Sequence, residues 1–66
     1  MDISTEINVL LARAKSNQTE LAKVLGTTQG NLGNKLKRNN WRVNEVEEIA
    51  EKLGYEMKIE FIKKAE

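Results

Sequence analysis

Ile3, Ile7, Leu10, Leu11 and Ala14 recur at helical spacing, with Ser4 or Thr5 placed to cap, which predicts a first helix over about residues 4–15 with one apolar face. Asn17 followed three residues later by Glu20 is a capping-box pattern. Leu21, Ala22 and Leu25 then share a face and Gly26 supplies a stop, so a short second helix is expected over about 18–25. Thr28 caps a third helix, about 28–37, that carries Leu32 and Leu36 at i, i+4 and runs into the polar loop Arg38-Asn39-Asn40. Asn44 with Glu47 opens a fourth, about 44–53, whose Val46, Ile49, Ala50 and Leu53 face inward before Gly54 closes it. From Tyr55 the period shortens to two. Tyr55, Met57, Ile59 and Phe61 alternate with Glu56, Lys58 and Glu60, the signature of a strand over about 55–62 with one buried face.

The expected fold is therefore mainly α: four short helices plus one C-terminal β-strand. A lone strand leaves its backbone donors and acceptors unpaired, and nothing else in the chain offers an edge, so a second copy is expected to supply it. An antiparallel pair centred on Lys58 would oppose like charges. Centring on Met57 or Ile59 instead sets Glu56 or Glu60 opposite Lys58, which makes a homodimer interface of Tyr55, Met57, Lys58, Ile59, Glu60 and Phe61. Lys63 to Glu66 reads as a frayed tail. Sixty-six residues make a single domain, 1–66, because halves of such a chain would fall below the roughly 40 residues at which unaided folding fails. A core this small calls for support from another chain.

Composition narrows the chemistry. With no Cys and no His, disulfides, Cys/His metal sites and thiol or imidazole catalysis are excluded by inventory, and no nucleophile-base pair or phosphate-cradling loop suggests an enzyme or a cofactor. Glu45, Glu47, Glu48 and Glu51 near the start of the fourth helix read as a solvated face favoured by the helix dipole rather than as a metal site. No small-molecule ligand is evident. Val9 to Ala12 is the longest apolar run, far short of the about 18 residues of a membrane span, so a soluble, intracellular protein without a membrane partner is expected.

The net charge is only +1, but its distribution is uneven. Residues 1–43 carry seven lysines and arginines against three acids, and residues 44–66 carry four lysines against seven. The densest cationic stretch, Lys35, Lys37, Arg38 and Arg42, lies with Asn39, Asn40 and Trp41 at the end of the third helix and in the loop after it. Such a face attracts polyanions while the whole chain stays near neutral.

Two short helices joined by about three residues, with small Ala22 at the approach and Gly26 at the turn, have the geometry of a helix-turn-helix. The third helix presents Gln29, Gly30, Asn31, Gly33, Asn34 and Lys35, a set rich in amides, and Gln or Asn bonds bidentately to adenine in the major groove. Gly30 and Gly33 each cost about 1 kcal/mol relative to Ala, so this helix is expected to be loose without DNA.

The stretch NQTELAKVLGTTQGNLGNKLKR, with VNEVEEIAEKLG downstream, resembles the phage-repressor-type (Cro, XRE) helix-turn-helix family over about residues 5–54. The resemblance implies a lambda-repressor-like fold and a sequence-specific, dimeric transcriptional repressor that reads double-stranded DNA, cytoplasmic and nucleoid-associated in a bacterial or phage setting. It implies base contacts by Gln29, Gly30, Asn31 and Asn34, with Gln29 leading, although Gly30 has no side chain to offer. Phosphate contacts fall to Gln18 and Thr28 at helix N-termini, with Gln18 also steadying Gln29, and Lys35, Lys37, Arg38, Asn40 and Arg42 extend the set. Trp41 reads as a core-rim residue whose indole N–H could still reach a phosphate. An antitoxin-type autoregulator, or a protein-interaction module of the same fold with a protein partner, is the alternative.

Overall fold

The computed structural model describes residues 2–65 and contains four helices: α1 (Ile3–Arg13), α2 (Gln18–Leu25), α3 (Gln29–Arg38) and α4 (Val43–Lys52). Side chains from all four build one core. Ile7 and Leu11 of α1, Leu21 and Ala22 of α2, Leu32 of α3 and Ile49 of α4 are buried together, with Ile3, Leu10, Leu25, Leu36, Trp41 and Leu53 packed around them. These are the positions that the helical spacing selects, and α2 packs against both α3 and α4 while α1 rests on α4.

Caps set the element ends. Asn17 Oδ1 accepts from Glu20 N–H (2.9 Å) and Thr28 Oγ1 from Asn31 N–H (3.1 Å), so α2 and α3 begin where the sequence pattern places them. Gly26 is left-handed (φ 71°), and the amides of Gly26 and Thr27 return to the carbonyls of Lys23 and Ala22, which closes α2 and turns the chain into α3 within three residues. Asn39 (φ 51°) ends α3 in the same region of backbone space, where an asparagine is tolerated.

Three expectations about helix ends are corrected. α1 is capped by Asp2, whose Oδ1 accepts from Thr5 N–H (3.0 Å), and not by Ser4 or Thr5. Ser4 is instead buried inside the first turn: its Oγ donates to the Leu36 carbonyl (2.6 Å) and accepts from Trp41 Nε1 (3.0 Å), while its N–H donates to Asn39 Oδ1 (3.0 Å). α1 also stops at Arg13, two residues early, because Lys15 turns left-handed (φ 54°) and Ser16 N–H bonds back to Leu11 O. α4 starts from Arg42 and not from Asn44. Glu45 Oε1, rather than Glu47, accepts the N-cap amide, that of Arg42 (2.8 Å), two residues upstream of the Asn44/Glu47 pattern, and the reciprocal half of a capping box is missing because an arginine side chain has no acceptor.

The strand expected over about 55–62 is not formed, and residues 55–65 have no regular secondary structure; among the described residues there is no strand. A strand needs a neighbouring edge, and the helices offer none. Nor is the alternating apolar face buried as expected. Met57 is half-buried, but Tyr55 (39%), Ile59 (54%) and Phe61 (97%) are exposed, and Ile62 joins them. No helix among the described residues is long and apolar enough to cross a membrane.

Candidate nucleic-acid interface

Leu32 is buried and Leu36 half-buried, which fixes the rotation of α3 about its axis. At about 100° per residue the line opposite these leucines runs through Gly30, Asn34 and Arg38, flanked by Lys37 on one side and Asn31 on the other. All five are exposed. Gln29 is exposed as well, but it lies at the N-terminal end of the helix, off that central line. α3 carries no acidic residue, and its last turn holds Lys35, Lys37 and Arg38.

Asn31, Asn34, Lys35, Arg38 and Asn40 line a shallow polar concavity of about 270 Å³. The residues therefore converge from the helix and from the loop after it. Thr28 spends one acceptor position on the α3 cap and keeps its O–H proton for another partner. Gln18 opens α2 and donates from Nε2 to Asn8 Oδ1 (3.3 Å) on α1, so the amide that sequence reasoning paired with Gln29 is held by Asn8. Asn8 has no signal in the sequence: it is one exposed polar residue on an amphipathic helix, and only the approach of α2 gives it a role.

The cations differ in their surroundings. Lys37, Arg38 and Arg42 are exposed, whereas Lys35 forms an ion pair with Glu45, the one such pair among the described residues, and its ammonium lies 5.6 Å from the centre of the Trp41 ring. The Lys35 ammonium, with the Arg42 N–H, holds the Glu45 carboxyl below its ordinary value of 4.5. Trp41 packs at the rim of the core as expected, but its indole N–H is taken by Ser4 Oγ and is not directed to solvent.

Position by position, the exposed residues Gln29, Gly30, Asn31, Asn34, Lys37, Arg38, Asn40 and Arg42 are presented to solvent along α3 and the following loop. The carboxylates of α4 are not gathered into a centre, and among the described residues no group of three acids is placed to hold a metal ion. No protein-family model, curated protein or solved structure matches this chain.

Proposed function

We propose that the chain is a sequence-specific duplex-DNA-binding protein of the phage-repressor helix-turn-helix type, acting as a dimeric transcriptional repressor. The observation that carries the reading is the outward line of α3, where Asn34, flanked by Asn31, stands with exposed Lys37 and Arg38 and no acidic residue, and Gln29 is exposed at the N-terminal end of the helix. Amides supply donor-acceptor pairs for adenine, while the cations and the Thr28 hydroxyl serve phosphates on either side. α2, fixed by Asn17 and Gly26, crosses the backbone and sets the depth of α3 in the major groove.

The dimer follows from the C-terminal segment. Ile59 and Phe61 are exposed apolar side chains on one face of the alternation, and pairing two copies of residues 55–62 antiparallel about Met57 or Ile59 would gather them on one side and satisfy the facing backbone edge of each copy. Two recognition helices related by that axis read half-sites about one helical turn apart.

The test separates readers from clamps. In a salt series on duplex DNA, Arg38→Ala weakens every sequence alike and lowers the dependence of log K on log salt by about 1. Gln29→Ala flattens base preference at one or two positions. Uniform loss across sequences for Gln29→Ala would remove it from the set of readers, and the absence of duplex binding at low salt would refute the function.

A further inference from the structure

Lys35 stands between two surfaces. It lines the polar concavity on the α3 face with Asn34 and Arg38, and it also lines the neighbouring depression that contains Trp41, Glu45 and Glu48. Its ammonium is turned to the second: it pairs with the Glu45 carboxylate and lies over the indole ring. Glu45 is held there in turn by the Arg42 N–H at 2.8 Å, so the carboxylate is positioned by the start of α4 and does not depend on Lys35 for its place. Both side chains are about one third exposed.

We infer that Glu45 withholds Lys35 from the phosphate-contacting set and thereby limits the affinity and the salt dependence of duplex binding. The inference rests on the duplex-binding reading above. Each lysine or arginine that neutralises a phosphate on B-DNA adds about 0.9 to the slope of log K against log salt. A lysine already compensated by a carboxylate and an aromatic face contributes none of that slope. Glu45 therefore acts as a negative determinant of binding strength on a helix that touches no base.

Glu45→Gln is the informative substitution, because a glutamine carbonyl can still accept the Arg42 N–H and keep the helix start while the ion pair is lost. Binding of a random-sequence duplex of about 20 base pairs is measured by fluorescence anisotropy between 0.05 and 0.2 M salt, for the unsubstituted chain, Glu45→Gln, Lys35→Met and the double variant, with circular dichroism confirming each fold. The slope for Glu45→Gln is expected to steepen by about 0.9, so that its affinity falls roughly 3.5-fold further across that range than the parent's. Against the Lys35→Met background, Glu45→Gln is expected to add nothing to the slope.

Equal slopes for the parent and Glu45→Gln would overturn the inference, as would an equal gain in the Lys35→Met background, which would assign the effect to the carboxylate's own repulsion. A second reading uses the unsubstituted chain. The Lys35 ammonium resonance is expected to stay in place when duplex is added while the Arg38 guanidinium resonances move; a Lys35 shift of similar size would overturn the inference. Failure of the parent chain to bind duplex at 0.05 M salt would overturn both this inference and the function it rests on, whereas binding by the parent with no Glu45 effect overturns the inference alone.

Discussion

Replacing Ser4 by alanine removes one oxygen that serves two partners. Its Oγ donates to the Leu36 carbonyl, one of the last four of α3 with no partner inside the helix, and accepts the Trp41 indole N–H. Both partners would be left short in a place that is only 8% exposed at Ser4 itself. An unsatisfied buried group costs about 1–3 kcal/mol, and the partial burial of this pair puts each near the lower end. Alanine returns roughly 0.5 kcal/mol through its better helix propensity, so the net loss is about 1.5–2 kcal/mol. A chain of 66 residues has a total stability of only about 3–10 kcal/mol, and the loss corresponds to a fall in Tm of about 10 °C.

Urea unfolding followed by circular dichroism and by the emission of Trp41, the single tryptophan, measures the loss and reports on the indole directly. Protein concentration is held fixed, since dimerisation would shift the midpoint by mass action. Thr5→Ala is the control: Thr5 is exposed on the next position of the same turn, and its replacement should stay within about 0.5 kcal/mol. If Ser4→Ala also stays within 0.5 kcal/mol of the parent, the three-way contact among α1, α3 and Trp41 does not hold the fold as described.

Lys15 sits at φ 54°, where an L side chain costs about 1 kcal/mol, so Lys15→Gly should raise the urea midpoint by an equivalent amount; a lower midpoint would contradict the strain. Gly33 lies inside α3 and a Cβ there would meet nothing within 4 Å, so Gly33→Ala should stabilise by about 0.4–1 kcal/mol in thermal melts, and destabilisation would show that the site is more crowded than the structure has it. The lowered Glu45 carboxyl contributes stability above its ordinary value of 4.5 that is lost as pH falls through its folded value. Partial exposure keeps the effect below about 1 kcal/mol, and the stability gap between the parent and Glu45→Gln should be full at pH 7 and shrink below that ordinary value; a gap that is the same at pH 7 and pH 3 would contradict the pairing.

The parts of the fold that the sequence made legible are those decided by neighbours along the chain. Asn17, Gly26 and Thr28 act on amides within five residues of themselves, and the apolar spacing from Ile7 to Ile49 selects the core without knowledge of the tertiary arrangement. Ser4 was illegible because its partners are Leu36, Asn39 and Trp41, more than thirty residues away, and a serine ahead of an apolar run has the local pattern of a cap. Asn44 and Glu47 satisfy the capping pattern and Arg42 with Glu45 only its acidic half, since arginine offers no acceptor; Glu45 is favoured by the ammonium of Lys35 on another helix, which no local rule contains. Of the residues expected to face outward from α3, Gln29, Gly30, Asn31 and Asn34 are exposed, whereas Gly33 and Lys35 are half-buried, because composition does not fix the helix phase. What separates Lys35 from Lys37 and Arg38 was not legible either, since all three are cations in one turn and only the position of α4 engages the first.

The alternation from Tyr55 to Phe61 shows the limit of a pattern that needs a partner. Period-two spacing encodes a face, but a strand exists only when a second edge accepts its hydrogen bonds, and a single copy of this chain has none among its described residues.

Selection from a pool of randomised duplex DNA at about 0.1 M salt, followed by sequencing of what the protein retains, tests binding and dimerisation together. The expected result is an inverted repeat whose half-site centres lie about one helical turn apart. Recovery of no enriched sequence, together with no binding when the salt is lowered, would contradict it and take α3 out of the major groove.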